Sequence, residues 1–516
     1  MHHESQIALL EVEAYRAPAL GNSDSRLTLK MAEIEGNLVL LRIENDMIIF
    51  TSTFPVPEES LGLTQKASLF FSGSDAGELE VTANSIAKKD ANHWEISLRP
   101  SNPVDAIVFW SAFRQRQGLQ ARPAKIPKLP DRGRFTEESR QTRLSFLQRE
   151  TGVKLDHVQH NSLNPDDLRR TVESFVGTVE IPIGIAGPLL FHGQNVNGML
   201  YAPMATTEGS LVASATRGAT AITHSGGVHT AVLGRRITRA PLFQMHSLSD
   251  ALLLADWLRF SFESIRRQTK SMSRHAVLKQ IEPEVLGRDL HVHFIYDSQD
   301  AAGQNMTTGC TWKACHWIID EIKRDLGLSV RQFLIESNLS NDKKVSFNSL
   351  VCGRGTRAVA ECTLSAEVTK RFLHVTPVQL AWAYQSLARG GVAGGMIGIN
   401  INIANMVAAL FTSTGQDIAS VHESSIGLLS LELAEDNMSI YASLMLPSLL
   451  IGTVGGGTNL PRQRECLALM GCVGQGQAPR LAEAICGFAL ALDLSTLSAL
   501  ASDEFAAAHH PLAKIA

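Results

Sequence analysis

The sequence changes character near residue 115, and this change constrains the fold more than any other feature. Before that point, short runs rich in β-branched and aromatic residues alternate with turn residues. The runs cover residues 26–32, 37–43, 47–52, 67–72, 78–82, 94–98 and 106–110. Many short strands at close, regular spacing are typical of a small β-sandwich or barrel. We therefore predict a β-rich accessory domain over residues 1–115, with docking or stabilisation as its simplest role.

A linker and a larger domain follow. Residues 116–135 are rich in Arg, Lys, Pro and Gln, a composition typical of a connector. From residue 136 to residue 516, helical periodicity alternates with apolar strands and Gly-rich loops. Residues 241–334 contain a predicted helix over 248–270, then a strand and a further helix, which predicts an inserted α+β subdomain. Two more helices are predicted near the end of the chain, over 480–492 and 496–509. We expect an α+β multidomain protein.

Composition limits the partners that this chain can take. The formal net charge is −4, so no overall field favours nucleic acid or an anionic membrane. The seven cysteines form no CxxC pair, which fits neither a disulfide framework nor a zinc site. The N-terminus lacks the pattern of a secretion signal. We expect a cytoplasmic protein with a small-molecule partner, no bound metal and no membrane anchor.

The stretch APMATTEGSLVAS, residues 202–214, places an acid among small residues and hydroxyls. We predict a helix that starts near Thr207, with Thr206 or Thr207 as its cap and Glu208 in its first turn. A carboxylate at that position is common, because the free N–H groups of a helix start favour it. Glu208 alone is therefore weak evidence for catalysis.

Three further ionisable residues lie in polar or Gly-rich contexts. Lys343 belongs to a DKK segment, Asp417 to a GQD segment, and His509 to the C-terminal tail. A lysine near two carboxylates stays charged, and a buried acid near another acid can keep its proton. Glu208, Lys343 and Asp417 would together supply a cation and a proton donor. Each segment by itself is usually a surface turn.

Two Gly-rich loops could hold a phosphate-containing cofactor. The GTVGGGTN stretch follows an apolar run, and DAAGQNMTTG precedes a predicted helix. Freed backbone N–H groups and a helix start can bind a pyrophosphate. Ser273 and Arg274 would suit a ribose 2′-phosphate, although an exposed arginine on a turn is the simpler interpretation. The sequence lacks both GxGxxG after a strand and GxxxxGK[ST], so a Rossmann domain and a P-loop are disfavoured.

Taken in order, the motifs resemble those of the hydroxymethylglutaryl-CoA reductase family. They are EIPIGIAGPL, PMATTEGSLVAS with Arg217, ITRAP, DAAGQNM, DKK, GQD, IGTVGGGTNL and the terminal His509. The resemblance covers about residues 136–510 and is similar to the class with a DKK lysine that uses NADPH. The β-rich N-terminal domain is not part of that family core. The inserted subdomain would then be a non-Rossmann NADP-binding subdomain.

The resemblance implies a four-electron reduction of 3-hydroxy-3-methylglutaryl-CoA to mevalonate and free CoA. Lys343 would stabilise the oxyanion, and Asp417 would position that lysine. Glu208 would protonate the aldehyde oxygen, and His509 the departing thiolate. The other matched positions are, for the cofactor NADPH, Ser273, Arg274, Asp300, Asn305, Gly455, Gly456 and Gly457, and, for the acyl-CoA substrate, Ser214, Arg217, Arg239, Lys344 and Asn405. The resemblance also implies a homodimer or higher homo-oligomer, with sites built across the subunit interface.

Three residues depart from the family pattern near the acyl pocket. Gln385 stands where the family has a lysine for the substrate carboxylate, Glu336 stands where it has a serine, and Arg235 stands at an acidic position. Two alternatives therefore stay open. One is a paralogue that reduces a different acyl-CoA, and the other is a catalytically inactive homologue with a binding or regulatory role.

Overall fold

The computed structural model describes residues 15–16, 27–31, 38–44, 47–71, 74–90, 93–101, 127–169, 171–435 and 438–503. The chain divides into two compact units, Met1–Leu129 and Pro130–Ala516. This division falls inside the predicted linker, of which residues 116–126 lie outside the described residues. The two units are described separately below.

The first unit is a small antiparallel β-barrel. Six strands close on themselves in the order β3-β2-β5-β6-β7-β4, with β4 pairing back to β3, and β1 adds to the edge of β3. Alternate side chains of Leu29, Phe50, Ile96 and Leu98 fill its core. The strands are β1 (Tyr15–Arg16), β2 (Leu27–Met31), β3 (Leu38–Glu44), β4 (Met47–Ser52), β5 (Thr64–Phe71), β6 (Ser74–Asp90) and β7 (His93–Pro100).

The predicted β-rich region is therefore confirmed as a barrel, since six of the seven predicted runs overlap strands. The run predicted at residues 106–110 lies outside the described residues. The strand β6 is longer than expected, because the prediction ended it at residue 82 and the pairing with β7 continues to Asp90.

The second unit has a ten-stranded sheet whose central path is β14-β11-β13-β10-β15-β17-β16. The long strand β10 pairs with β15 through its first part and with β13 through its last residues, so it belongs to both halves of the sheet. The strands are β8 (Ile183–Gly193), β9 (Asn197–Ala205), β10 (Val228–Arg239), β11 (Leu242–Gln244), β12 (Val277–Leu286), β13 (Asp289–Asp297), β14 (Gln332–Leu334), β15 (Gly355–Ser365), β16 (Leu428–Leu433) and β17 (Ser439–Leu449).

Helices cover this sheet, and two separate apolar clusters define a larger and a smaller part. The smaller cluster is built from residues between Ile237 and Ile322 together with Leu450. The helices are α1 (Glu137–Thr151), α2 (Leu211–His224), α3 (Leu248–Phe260), α4 (Phe262–Met272), α5 (Gln304–Asp325), α6 (Phe347–Val351), α7 (Ala366–Phe372), α8 (Pro377–Ala393), α9 (Ile403–Thr414), α10 (Val421–Ser424), α11 (Pro461–Leu469) and α12 (Ala478–Ala501).

Helix α12 is the centre of the larger part. Its side chains from Leu481 to Ser498 are buried, and α2 crosses it where Gly218 leaves room. A Cβ on Gly218 would lie 1.8 Å from the carbonyl oxygen of Ala491, so only glycine permits this close approach. Among the described helices, α12 is the one long and apolar enough to cross a membrane, yet 89% of its apolar window is buried inside the fold.

Three helix predictions were wrong. The helix expected over 248–270 is two helices that meet at Ser261. The two helices expected over 480–492 and 496–509 are joined in the single α12, because the polar residues between them have partners elsewhere in the fold. The last part of the second prediction, residues 504–509, lies outside the described residues. The third error concerns Glu208: α2 begins at Leu211, since the preceding Ser210 has a φ of 67° and cannot continue a right-handed helix.

Candidate active site

Glu208 lies in a turn before α2 rather than in the first turn of the helix. Its backbone N–H donates to Thr206 Oγ1 at 3.0 Å, so Thr206 shapes the turn instead of capping the helix. The exposed carboxylate is oriented by Asn405, whose Nδ2 donates to Glu208 Oε1 at 3.0 Å. Because Asn405 sits in the first turn of α9, this pair marks the start of that helix.

An open cavity of about 540 Å³ lies beside Glu208 and Asn405. Arg217 contributes a cation to its wall, and Arg217 Nε and Nη2 donate to the hydroxyl and the carbonyl oxygen of Ser495 at 2.9 and 2.6 Å. Ser214 and Ser495 share a further hydrogen bond of 2.9 Å. The cavity therefore combines an acid, a cation and hydroxyls along α2 and α12, which suits a polar ligand.

The entry to α9 is fixed by a buried acid that the sequence reasoning missed. Asp493, fully buried in α12, accepts the backbone N–H groups of Ile401 at 3.1 Å and Asn402 at 2.7 Å. Burial raises the pKa of Asp493 to about 7, although these two hydrogen bonds favour its charged form. A charged residue inside an otherwise apolar helical run was the sequence signal for such a role.

Lys343 and Asp417 meet at the other end of α9. Lys343 Nζ lies 2.9 Å from Asp417 Oδ2, and both side chains are partly exposed. Asp417 also caps the short 3₁₀ turn Ile418–Ser420 by accepting the N–H of Ala419. The lysine itself has a φ of 56°, and Asn338 and Asn341 in the same loop also have positive φ. Non-glycine residues in this region are strained and cluster at functional sites.

A buried ionic network lies beneath this loop. The carboxylate of Asp342 accepts a hydrogen bond from Arg239 Nη1 at 2.9 Å and lies 2.7 Å from Arg354 Nη2. Arg354 Nη1 in turn donates to Glu423 Oε1 at 2.7 Å. Burial works against ionisation of Asp342, but the two arginines outweigh it and lower its pKa. For Glu423, burial dominates over Arg354 and raises the pKa to about 7. Arg354 and Glu423 were not predicted from the sequence.

The two pairs are separated by the length of α9. From Asn405 to the last helical residue, Thr414, the axial rise is about 13 Å at 1.5 Å per residue. Within the described part of the chain, no hydrogen bond or ion pair joins Glu208–Asn405 to Lys343–Asp417. The structure thus brings Lys343 and Asp417 together as expected, but it does not bring Glu208 to them within one chain.

The departures near the acyl pocket have defined surroundings. Glu336 Oε2 lies 3.8 Å from Arg239 Nη1, so this arginine faces two carboxylates, those of Glu336 and Asp342. Gln385 is exposed on α8. Arg235 is half-buried and donates to the carbonyl oxygens of Ala301 and Ile451, and desolvation of its guanidinium lowers its pKa to about 10 against the attraction of nearby acids.

The side chain of Lys344 bonds back to its own loop. Its Nζ donates to the carbonyl oxygen of Asp342 at 3.0 Å, and the side chain is otherwise exposed. The ammonium group remains accessible to a ligand that enters from the solvent side of the loop.

The candidate cofactor residues surround the start of α5 and the glycine loop. Gly303, with a φ of 81°, precedes α5, and the exposed Asn305 lies in the first turn, where N–H groups are free. Arg274 is exposed just after α4, and Ser273 Oγ lies 3.0 Å from Met306 Sδ. A helix start beside an exposed arginine fits an anionic dinucleotide.

The glycine loop is open on one side and packed on the other. Gly455 and Gly456 have positive φ and no atom near the position of a Cβ, and both line a second cavity of about 590 Å³. A Cβ on Gly457 would lie 2.6 Å from the carbonyl oxygen of Gly415, so the loop packs directly against the turn that leads to Asp417.

Asp300 supports this loop rather than pointing freely at a ligand. Its carboxylate accepts hydrogen bonds from the backbone N–H groups of Gly476 at 2.7 Å and Ala478 at 3.1 Å. Its backbone carbonyl oxygen accepts a hydrogen bond from the N–H of Thr453. It thereby caps the start of α12. His509, the fourth candidate catalytic residue, lies outside the described residues.

Comparison with known proteins identifies the relatives of this chain. The family model for hydroxymethylglutaryl-coenzyme A reductase matches residues 139–514. A 3-hydroxy-3-methylglutaryl-coenzyme A reductase of Methanocaldococcus jannaschii is 37% identical over 375 residues, which is 72% of this chain and 92% of the relative. One of Aeropyrum pernix is 38% identical over 385 residues, or 73% of this chain and 90% of the relative.

A solved structure shows the same fold. It is a class II 3-hydroxy-3-methylglutaryl-CoA reductase of Streptococcus pneumoniae bound to NADPH, with a TM-score of 0.52 and 21% identity over 70% of this chain and 96% of that one. The fold and these likenesses define the class of this protein, a reductase among the oxidoreductases. The chain belongs to the hydroxymethylglutaryl-coenzyme A reductase family. The predicted α+β fold class is confirmed.

Proposed function

We propose that this protein reduces 3-hydroxy-3-methylglutaryl-CoA to mevalonate and free CoA, with NADPH as the reductant in two successive steps. The observation that carries the proposal is the 2.9 Å ion pair of Lys343 with Asp417. An ammonium group held by a carboxylate keeps its charge, and a fixed cation beside a carbonyl oxygen stabilises the negative charge that grows there. The family membership of the chain supplies the reaction class.

In the first reduction, a hydride adds to the thioester carbon and the carbonyl oxygen becomes an oxyanion, which Lys343 stabilises. The resulting hemithioacetal breaks its carbon–sulfur bond, and His509 gives a proton to the departing CoA thiolate. In the second reduction, a hydride adds to the aldehyde carbon and Glu208 gives a proton to the aldehyde oxygen. Asn405 orients Glu208 for that transfer through its hydrogen bond of 3.0 Å.

Bound NADPH supplies the hydride in both steps. We assign its 2′-phosphate to Arg274 and Ser273, and its pyrophosphate to the free N–H groups near Asn305 and the open glycines 455 and 456. Gly457 and Asp300 act by supporting the loop, because their closest partners are backbone groups of the protein.

The CoA and acyl parts of the substrate are assigned to the open cavity and the loop beside it. Arg217 and Ser214 line the cavity next to Glu208, while Arg239 and Lys344 lie at the loop that carries Lys343. A cationic wall suits the phosphates of CoA, and guanidinium and ammonium groups suit a substrate carboxylate.

We further propose that the active enzyme is a homodimer or higher homo-oligomer. The separation of Glu208 from Lys343 within one chain supports this, because a second copy would be required to bring both to one substrate.

We also propose a cytoplasmic location, because the seven free cysteines suit a reducing compartment. We assign the barrel the role of an accessory domain over residues 1–115, linked by residues 116–135 to the catalytic domain 136–516.

Purified protein should oxidise two NADPH for each 3-hydroxy-3-methylglutaryl-CoA consumed, measured by absorbance together with release of free CoA.

Arg274→Ala should raise the KM for NADPH by about 10- to 100-fold and leave the KM for NADH nearly unchanged, since only NADPH carries the 2′-phosphate. Arg259→Ala, which removes an exposed arginine of α3, is the matched control. Equal effects of Arg274→Ala on both cofactors would contradict the phosphate assignment.

A second candidate is a reductase for a different acyl-CoA, and one observation favours it. Glu336 lies beside Arg239, so the guanidinium that would bind a substrate carboxylate already faces two acids. NADPH oxidation with another acyl-CoA, but not with 3-hydroxy-3-methylglutaryl-CoA, would select this candidate. No oxidation with any thioester would instead select the inactive homologue with a binding role.

A further inference from the structure

The loop that carries Lys343 is held from two sides by one short segment of chain. Asp417 contacts the side chain of Lys343, and Glu423, six residues later, contacts its backbone: the Lys343 N–H donates to Glu423 Oε1 at 3.3 Å. Both acids belong to the segment that runs from the end of α9 through α10. Asp417 is partly exposed, whereas Glu423 is fully buried.

The segment itself is anchored to the sheet. Ser424 Oγ donates to the carbonyl oxygen of Ser448 at 3.1 Å and accepts the N–H of Leu450 at 3.0 Å. Arg354 is anchored at the same place, because its N–H donates to Ser448 Oγ at 2.9 Å. Glu423 and Arg354 therefore approach the loop from fixed positions at the end of β17.

Arg354 connects the buried acid to the loop a second time. It donates to Glu423 Oε1 at 2.7 Å, and its Nη2 lies 2.7 Å from Asp342, the residue before Lys343. The same Oε1 thus accepts from Arg354 and from Lys343 N–H, while Glu423 Oε2 is buried without a hydrogen-bond partner among the described residues. One oxygen of Glu423 makes both contacts.

We propose that Glu423 is a positioning residue for the reaction, which fixes the strained backbone of Lys343 so that its ammonium group points at the substrate carbonyl. A lysine with a φ of 56° needs such support, since unsupported residues leave this region. The role belongs to the acceptor oxygen and not to the charge of the carboxylate. The inference rests on the reductase activity proposed above, in which Lys343 stabilises the oxyanion.

Two conservative variants separate the acceptor from the charge. Glu423→Gln keeps an oxygen for Lys343 N–H and Arg354, and it places an amide nitrogen where Oε2 has no partner. Glu423→Asp keeps the charge but withdraws the acceptor by one methylene. We expect Glu423→Asp to lower kcat by about 10- to 100-fold while the KM for NADPH stays within about twofold, because the loop of Lys343 is displaced but the residues assigned to the cofactor lie outside it. Glu423→Gln should keep kcat within about threefold of wild type.

An activity-independent measurement accompanies the kinetics. Trypsin cuts after lysine, so the rate of native-state cleavage after Lys343 and Lys344 reports opening of the loop. The rate should rise at least about tenfold in Glu423→Asp and stay near wild type in Glu423→Gln. Glu367→Ala, an exposed acid in the first turn of α7, should change neither kinetics nor cleavage.

The proposal is overturned if Glu423→Asp keeps wild-type kcat and cleavage, or if Glu423→Gln loses as much kcat as Glu423→Asp. Failure of the proposed function shows separately, because wild-type protein would then oxidise no NADPH with any thioester. In that case the cleavage rates still decide whether Glu423 holds the loop.

Discussion

The two ends of α9 carry comparable polar pairs but hold them differently. At the start of the helix, the Glu208 carboxylate accepts a hydrogen bond from Asn405 and faces an open cavity. At the far end, Lys343 is held by Asp417 and rests on a buried network of Asp342, Arg354 and Glu423. The acid is free to move toward a substrate, whereas the cation is fixed in advance.

This difference matches the roles proposed for the two groups. A cation that stabilises a growing oxyanion works best when it is already in place, since no reorganisation is then needed during the reaction. A proton donor for the second reduction has to reach an aldehyde oxygen that exists only after the first, and a lightly held carboxylate can do so. The predictions below test this division.

The largest effect is expected at the fixed end. Lys343→Ala should lower kcat by at least about 10³-fold for 3-hydroxy-3-methylglutaryl-CoA and also for added mevaldehyde, the free aldehyde that enters at the second reduction. Both reductions develop negative charge on oxygen. NADPH oxidation with each substrate measures this. Lys370→Ala, which removes an exposed lysine of α7, should retain activity. A Lys343→Ala variant that still reduces mevaldehyde at the wild-type rate would assign the lysine to the first step alone.

The separation of the two ends predicts complementation between subunits. Glu208→Gln and Lys343→Ala should each be inactive as separate preparations. When the two chains are co-expressed and the mixed dimers are purified through two tags, about half of the sites should be restored, because one of the two sites in each mixed dimer has an intact Glu208 and an intact Lys343. Activity in the mixed oligomers no higher than in either parent would mean that one chain contains the whole site.

A smaller effect is expected at the loosely held end. Asn405→Ala removes the hydrogen bond that orients the Glu208 carboxylate, and we expect a loss of about 3- to 10-fold in kcat for mevaldehyde, equivalent to about 1 kcal/mol. Asn405→Asp should lose more, since it places a like charge beside Glu208. If Asn405→Ala also increased tryptic cleavage after Lys343, the two ends would not be independent.

The last prediction concerns stability at the entry to α9, where no loss of kcat is expected to exceed those above. Asp493→Asn should lower the free energy of unfolding by about 1–3 kcal/mol, because the amide accepts only one of the two N–H groups. Since burial raises the pKa of Asp493 to about 7, the folded protein keeps this proton at acid pH and the group favours folding there. That contribution is lost as the pH rises toward and through the folded pKa.

Urea unfolding at about pH 5 and about pH 8 measures both parts of this prediction. The destabilisation caused by Asp493→Asn should be larger at the lower pH, where the wild-type acid is protonated, and smaller at the higher pH. The same difference at both pH values would mean that Asp493 does not titrate in this range.

Local sequence patterns were sufficient for the barrel and for most helices and strands, because alternation and helical periodicity are short-range signals. They failed where a distant partner decided the structure. The polar residues Asp493 and Ser495 suggested a break between two helices. In the structure, Asp493 accepts hydrogen bonds from the backbone of residues 401–402, about 90 residues away in sequence, and Ser495 accepts one from Arg217, about 280 residues away.

The same reason explains which site residues were found. Lys343, Asp417 and Glu208 stand in motifs of unusual composition, so the resemblance located them. Arg354 and Glu423 stand in ordinary surroundings, and their importance depends on burial and on the positive φ of the loop above them. Neither property can be read from neighbouring residues.

The burial of α12 on all sides restricts how this enzyme can diversify. A substitution in that helix disturbs the packing of two layers at once and therefore carries a penalty before it changes any ligand preference. Variation in substrate choice among natural sequences is accordingly expected in the solvent-facing loop around Glu336 and on the outer face of α8 near Gln385. A library that randomises those positions and leaves the central helix untouched is the economical route to altered specificity.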